Sequence, residues 1–349
     1  MGRPAVYEEK IRMHVSTDAK IKDRLQILAD KTGKNLSQLV NEAMTKVLDD
    51  YAEKGTYSDI DNDNEKKGER ENMLTQDGKT HEAKFIVFSN NKGGAAKTTT
   101  CTSLAVLFNN KNYRVLVIDL DMQKNASDLL GYRYNSKNPS VADYLSSFFD
   151  GGEKEDIKNI ILGTKYSNVD VIVADRKMQG TFEQHVRDTS ADRGDLIGHL
   201  FRDIRKLNIY DIVLVDTQPS MGVLVTSSYK EADYIIIPTE PDIHGIEGAQ
   251  KVCSFVKMRR NDGNKIADIA GILFVRAVAG TQLSKLIPTF KASLEDGMKI
   301  HCFNTMIPQS TDVPKARMER LPVTDKYPNS KVSKNYAALL TEVEEIING

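Results

Sequence analysis

The sequence is poor in cysteine and in long apolar runs, and both shortages exclude classes of protein. Its three cysteines, Cys101, Cys253 and Cys302, lie far apart and form no C-x-x-C pair, which disfavours a zinc or iron–sulfur site and fits buried thiols in a reducing compartment. No apolar run approaches the ~18–20 residues that span a bilayer, and no signal-peptide-like region opens the chain. We therefore expect a cytoplasmic protein without a membrane partner.

Net charge is also nearly absent. The chain carries 48 Lys and Arg against 49 Asp and Glu, a formal charge of −1 at pH 7. This balance does not by itself indicate a nucleic-acid binder, but an average conceals a basic face opposed by an acidic one, so local patterns must decide. With 349 residues the chain is long enough for about two domains.

A polar stretch over residues 53–82 divides the chain. It is too polar to bury the apolar surface that would offset its ordering entropy, and we predict a flexible charged linker with a span of roughly 30 Å. Residues 1–52 precede it with their own apolar pattern, and residues 83–349 alternate apolar runs with helical segments. The predicted strands of this second part are Lys84–Phe88, Arg114–Asp119, Val169–Val173, Ile212–Asp216, Tyr234–Pro238, Ala270–Val275 and Phe303–Ile307. The alternation predicts an α/β fold with a mostly parallel sheet flanked by helices.

A phosphate-binding loop follows the first of these strands. Residues 91–100 read Asn-Lys-Gly-Gly-Ala-Ala-Lys-Thr-Thr-Thr, so glycines bring backbone N–H groups close to phosphate oxygens and a helix beginning near Lys97 adds its positive end. Lys97 would reach the β and γ phosphates, and the Thr98 hydroxyl would bind Mg²⁺. The alternative is a glycine-rich turn with incidental lysines.

An additional lysine narrows the identity of the loop. Lys92 stands directly before the glycine pair, and the resulting G-G-x-x-K-T loop resembles the deviant Walker A of the ParA/MinD family. The resemblance implies a P-loop NTPase fold, ATP and Mg²⁺ as cofactors, and a homodimer in which Lys92 reaches the partner's nucleotide. It also implies a nucleotide-binding set of Lys92, Gly93, Gly94, Ala95, Ala96, Lys97, Thr98 and Thr99.

Two carboxylates follow the second strand. Asp119 and Asp121 stand at its carboxyl end, the edge where open α/β sheets bind ligands. The stretch resembles the family's D-x-D-P-Q-x-N-A box, with Met122 in place of proline. By that resemblance Asp121 orients the attacking water and, with Lys92 and Lys97, forms the catalytic set, whereas Asp119 lies near the water shell of the metal. Ordinary strand-end acids are the alternative for both.

The third motif is an apolar strand that ends at Asp216, the form of a Walker B. Its carboxylate would hold Mg²⁺ through water, and the turn after it would respond to the γ phosphate. Gln218 replaces a proline that the family usually has. A later turn resembles the family's adenine-side loop and implies contacts from Pro308 and Gln309. The resemblance spans residues 84–345.

The N-terminal unit resembles the ribbon-helix-helix DNA-binding family. Residues alternate with period two, with Lys10, Arg12 and His14 on one face and Ile11, Met13 and Val15 on the other, and two short amphipathic helices follow. The resemblance implies a dimer whose Arg12, Lys10 and His14 read base edges, while Asn35 and Ser37 at the second helix bind phosphate. The alternative is a helical hairpin that serves only dimerisation.

Together these motifs predict a DNA-partition ATPase for a plasmid or chromosome. ATP would join two subunits, hydrolysis would be slow, and a centromere-binding ParB-type protein would stimulate it. The ATPase dimer would bind DNA without sequence preference, making it nucleoid-associated, and the N-terminal domain would bind a specific site and repress its own operon. A nucleotide-regulated repressor without a transport role is the alternative. A MinD-like division regulator is disfavoured by the DNA-binding module and by the acidic segment 342–349, since a membrane-surface helix favours lysine or arginine.

Overall fold

The computed structural model describes residues 82–132, 139–149, 155–174, 197–278 and 280–349. A boundary between two units falls between Gly78 and Lys79, and all described residues belong to the second unit. The predicted DNA-binding residues of the N-terminal unit and nearly all of the predicted linker lie outside the described residues.

An eight-stranded sheet organises the described unit, in the order β3-β4-β2-β5-β1-β6-β7-β8. All neighbouring strands are parallel except β3, which pairs antiparallel with β4. The strands are β1 Lys84–Phe88, β2 Val115–Asp119, β3 Leu162–Gly163, β4 Val169–Val173, β5 Ile212–Asp216, β6 Tyr234–Thr239, β7 Asp268–Ala277 and β8 Ile307–Pro308. The predicted mostly parallel sheet is thus confirmed.

Helices connect the strands and cover both sheet faces. They are α1 Lys97–Asn110, α2 Asn125–Leu129, α3 Val141–Phe149, α4 Ile157–Ile160, α5 Gly198–Leu207, α6 Val223–Glu231, α7 Ile243–Asn261, α8 Gln282–Ala292, α9 Asp312–Met318, α10 Val323–Lys326 and α11 Lys331–Asn348, with a π-helical turn Ser293–Gly297 after α8. None of the helices within the described ranges is both long and apolar enough to traverse a bilayer.

Double coverage explains why the central strands are apolar without alternation. Ile86 and Phe88 of β1 join the core beneath α1 and α11, whereas Phe85 packs on Phe201 of α5 with ring centroids 4.8 Å apart. Each such side chain, removed from water, contributes about 1.5–3 kcal/mol. Phe85 to Phe88 are all fully buried, as expected of a parallel strand with helices on both faces.

The last predicted strand is wrong in position. Phe303–Ile307 was expected to pair, but the β8 ladder begins only at Ile307, and Cys302 forms an isolated bridge with Ile272. The intervening Asn304 and Thr305 donate their backbone N–H groups to the carboxylate of Glu342 on α11, each at 2.8 Å. A side chain therefore replaces the neighbouring strand as their partner.

Strand register brings the predicted acids together. Asp119 at the end of β2 lies opposite Asp216 at the end of β5, and Asp216 in turn lies opposite Phe88 at the end of β1. The loop between β1 and α1 leaves the sheet at this same edge. Parallel pairing thus places the predicted phosphate loop and both carboxylates at one site.

Candidate phosphate and metal site

The loop between β1 and α1 has the backbone of an anion-binding turn. Gly94 has φ 77°, and Ala96, the residue before α1, also lies in the left-handed region with φ 59°. Among the described residues no side chain caps the N-terminus of α1, so its first N–H groups are open to an incoming anion. A left-handed alanine costs about 1–2 kcal/mol, which the surrounding contacts must offset.

Lys97 lies inside this loop. Its side chain is buried, and its amine donates to the backbone oxygens of Asn90 at 3.2 Å and of Lys92 at 3.3 Å. Burial lowers the pKa of Lys97, and the charges of Asp216 and Asp121 offset this only in part. The amine is therefore held by carbonyl groups in the position from which it can reach a bound phosphate.

Asp119 and Asp216 form a buried acidic pair beside Thr98. The Thr98 hydroxyl donates to Asp216 Oδ2 at 2.7 Å, whereas Asp119 Oδ2 accepts from the Ser127 backbone N at 2.9 Å and its hydroxyl at 2.7 Å. Burial raises the pKa of Asp119 to about 6, against hydrogen bonds from Ser127 that lower it. Burial and the neighbouring Asp119 raise the pKa of Asp216 well above its usual value.

Among the described residues, one oxygen of this pair has no partner: Asp216 Oδ1 is buried and accepts no hydrogen bond. Two buried carboxylates and a hydroxyl suit a hard divalent cation such as Mg²⁺. In the part of the chain that the structure describes, no cluster of three or more His, Cys, Asp or Glu could hold a metal alone. A magnesium ion here would take its remaining ligands from water and phosphate.

Asp121 lies on the turn that follows β2. Its Oδ1 accepts the Gln123 backbone N–H at 3.0 Å, and its own N–H donates to Asp119 Oδ1 at 3.2 Å. These bonds fix the carboxylate beside the acidic pair while leaving part of it accessible. The structure therefore brings Asp121, Asp119, Asp216 and Lys97 to one edge of the sheet.

Lys92 is held by acids of its own chain. Its amine makes ion pairs with Glu240 and, at 2.6 Å, with Asp242, both on the loop between β6 and α7. Burial acts to lower the pKa of Lys92, but the two carboxylates outweigh it and the pKa is raised; Lys92 in turn lowers the pKa of Asp242 against its burial. These contacts lie within one chain, and the contact of Lys92 with a partner's nucleotide stays a prediction.

A cavity of about 510 Å³ adjoins the loop, within the size range of small-molecule sites. Its walls come from the loop, the carboxyl ends of β6 and β7, and α9 and α11. The lining includes Ala96, Thr99, Glu240, Pro241, Asp242, Val275, Arg276, Val278, Thr281, Ile307, Pro308, Gln309, Ser310, Val313, Pro314, Arg317 and Tyr336. Pro308 and Gln309, predicted to contact adenine, thus border the phosphate loop.

Sequence reasoning missed three residues of this site. Asn90 donates to Pro238 O at 2.7 Å and accepts from Lys92 N at 3.0 Å, and a Cβ built at Gly248 would collide with it. Glu240 and Asp242 hold Lys92. A signal was present for these acids, since they follow β6 at the same sheet edge, whereas Asn90 carries no motif of its own.

Two family models and several known proteins match this chain. A family model described as an AAA domain matches residues 83–269, and one described as a ribbon-helix-helix domain matches residues 9–52. The chain is 27% identical over 269 residues to the sporulation initiation inhibitor protein Soj of Bacillus subtilis. This match covers 74% of this chain and 98% of that protein. It is 26% identical over 263 residues to the virulence plasmid ParA family protein pGP5-D of Chlamydia psittaci, with 75% and 94% covered.

The fold is also similar to a solved structure. The septum site-determining protein MinD complexed with Mg-ADP from Pyrococcus horikoshii OT3 superposes with a TM-score of 0.59 at 21% identity, covering 76% of this chain and 97% of that one. This likeness confirms the predicted fold class. The two family models confirm the family resemblances drawn from the sequence.

Proposed function

The chain belongs to the AAA domain family, as a member of ParA/MinD type, and on that premise we propose that it is a DNA-partition ATPase that dimerises on ATP. One observation carries the chemistry: the buried pair Asp119 and Asp216, with one oxygen that accepts no hydrogen bond from the described residues, lies beside Thr98 and the open start of α1. The two carboxylates can bind a cation, and the adjacent N–H groups and lysine can bind an anion. The site is therefore complementary to a magnesium nucleotide.

Nucleotide binding follows from these groups. The backbone from Gly93 to Thr99 surrounds the phosphates, and Lys97 neutralises the β and γ oxygens. Thr98 and Asp216 would hold Mg²⁺, the carboxylate through water, and Asp119 would lie near the water shell of the metal. The cavity bounded by Pro308 and Gln309 receives the adenine. Magnesium, when bound, would supply positive charge that stabilises the negative charge developing on the transferred phosphate.

Hydrolysis needs an oriented water and a second positive charge. Asp121, fixed by the Gln123 N–H, lies where it can orient the water. Lys92 would supply the second charge to the partner's nucleotide, and to do so it must leave Glu240 and Asp242. Because each site is incomplete without a second subunit, turnover is slow and depends on the dimer.

The DNA-binding part of the proposal is supported by the ribbon-helix-helix match over residues 9–52. In such a dimer Lys10, Arg12 and His14 would read bases, and Asn35 and Ser37 would anchor phosphate. Specific binding at the chain's own promoter would repress its operon, while ATP-bound dimers coat nucleoid DNA. A ParB-type centromere-binding protein would then trigger hydrolysis. The description of the pGP5-D relative as a virulence plasmid ParA family protein supports the partition role of the ATPase.

Measurement of phosphate release by the full chain tests the proposal. We expect slow release with ATP and Mg²⁺, faster release when DNA and a ParB-type centromere-binding protein are added, and none with Lys97→Ala. Release that neither DNA nor the partner accelerates, combined with an ATP-sensitive footprint on upstream DNA, would favour the nucleotide-regulated repressor instead. Absence of nucleotide binding would contradict both.

A further inference from the structure

Arg276 is a strained residue at the mouth of the candidate site. It stands near the carboxyl end of β7 with φ 55°, in the left-handed region that costs a non-glycine residue about 1–2 kcal/mol. Such backbone strain persists where surrounding structure enforces it, and it clusters at functional sites. Its guanidinium is half exposed, so burial of the side chain does not explain the conformation.

The carboxylate of Glu240 forms ion pairs with this guanidinium and with a second cation. Arg276 Nη1 lies 2.7 Å from Glu240 Oε1, while Glu240 Oε2 pairs with Lys92. The carboxylate of Glu240 is largely buried, with 16% of its side chain exposed, against 56% for Arg276. Glu240 thus presents two oxygens to two cations, much as a phosphate group would.

The guanidinium also lies against the phosphate loop. A Cβ built on Gly94 would be 3.8 Å from Arg276 Nη1, and Arg276 lines the cavity together with Ala96 and Thr99. It therefore lies between the loop that would hold the phosphates and the cavity that would hold the base. None of the three sequence motifs includes it.

We propose that Arg276 is a nucleotide-binding residue that contacts the phosphate groups directly, and that Glu240 holds its guanidinium when the site is empty. This inference rests on the proposed function. Arginine offers a planar fork of donors suited to bidentate contact with phosphate, and a nucleotide carries more negative charge than one carboxylate. Binding would transfer the guanidinium from Glu240 to the nucleotide and leave the Glu240 carboxylate paired with Lys92.

The competing explanation is that Arg276 only braces the β6–α7 loop through Glu240. The two explanations agree on Arg276→Ala but differ on Glu240→Gln. If Arg276 binds phosphate and Glu240 competes for it, Arg276→Ala weakens nucleotide binding and Glu240→Gln does not. If the ion pair is a brace, loss of either member weakens binding to a similar extent.

Calorimetric titration of the full chain with ATP and with ADP, each with Mg²⁺, separates them. We expect Arg276→Ala to weaken binding by roughly tenfold to a hundredfold, as for loss of a charged hydrogen bond, and Arg276→Lys to weaken it less. Glu240→Gln should bind at least as tightly as wild type. Arg202→Ala, which removes an ion pair of similar length with Glu231 on α5 and α6, is the matched control and should bind normally.

Thermal melting of each variant without nucleotide confirms that it is folded before titration. Wild-type affinity in Arg276→Ala, or weakened binding in Glu240→Gln, overturns the inference while leaving the proposed function intact. Failure of the wild-type chain to bind either nucleotide removes the proposed function itself, so the two failures are distinguishable.

Discussion

The two ends of the candidate site differ in how their charges are balanced. At the acidic end, Asp119 and Asp216 are fully buried, and Asp216 Oδ1 has no partner among the described residues. At the basic end, Lys92 and Arg276 are both held by carboxylates of the β6–α7 loop. The charge of Lys97 offsets that of Asp216 only in part, whereas Lys92 and Arg276 each have a carboxylate in direct contact.

This difference indicates what each end requires from a ligand. Burial raises the pKa values of both Asp119 and Asp216, because it disfavours their charged forms. A cation bound there would offset this buried negative charge. The basic end is already neutralised and must break ion pairs to bind phosphate. A magnesium nucleotide would satisfy the acids and compete with Glu240 and Asp242 for the cations.

The largest effect is expected from Lys97→Ala, since Lys97 has no carboxylate partner in the described part of the chain and is held only by backbone oxygens. Loss of its amine should abolish measurable ATP binding in calorimetry, a fall of at least about a hundredfold. Lys111→Ala at the far end of α1, where Lys111 pairs with Glu344, is the control. Equal ATP affinity in Lys97→Ala and wild type would sink the assignment of the loop.

Asp121→Ala should separate binding from hydrolysis. The carboxylate of Asp121 accepts the Gln123 N–H and is not among the proposed metal ligands. ATP binding should therefore survive, while phosphate release falls by about a hundredfold or more. Light scattering should then find a dimer that persists with ATP. A loss of ATP affinity equal to the loss of turnover would instead place Asp121 among the binding residues.

Asp216→Asn tests the acidic end directly. The substitution keeps an acceptor for Thr98 but removes a buried charge, so we expect the metal-free chain to melt a few degrees higher, about 2–4 °C for each kcal/mol gained. The dependence of nucleotide affinity on Mg²⁺ should be lost. Ser227→Ala, a buried hydroxyl on α6, controls for a general effect of polar burial. A lower melting temperature for Asp216→Asn would show that the carboxylate charge is already compensated.

The smallest effect concerns pH. The folded-state pKa of Asp119 lies near 6, above its usual 3.8, so the folded chain keeps a proton that the unfolded chain has released. The contribution of Asp119 to the stability of the metal-free chain should therefore increase as pH falls through about 6. The thermal shift caused by Mg-ADP should decrease over the same range, because protons compete with the metal. In Asp119→Asn, both the stability and the Mg-ADP thermal shift should depend less on pH around 6. If both pH dependences persist unchanged in that variant, groups other than Asp119 cause them.

Much of this site was predictable from sequence. Parallel strands end at one sheet edge, so an apolar run ending at Asp216 and a glycine turn after Phe88 had to meet there. The pairing of Arg276 with Glu240 was not predictable, because it depends on adjacent packing of β6 and β7 and on a left-handed backbone at Arg276. The start of β8 was missed because Glu342, on α11, takes the backbone N–H groups of Asn304 and Thr305.

Complementation between two inactive variants tests most directly whether Lys92 acts on the partner's nucleotide. Lys92→Ala and Asp121→Ala are each expected to release almost no phosphate. Mixed before ATP is added, they should recover turnover, since the Lys92→Ala subunit keeps Asp121 and receives the intact lysine from its partner. If the mixture remains as inactive as its components while each still binds ATP, Lys92 acts within its own chain and the dimer-dependent account is wrong.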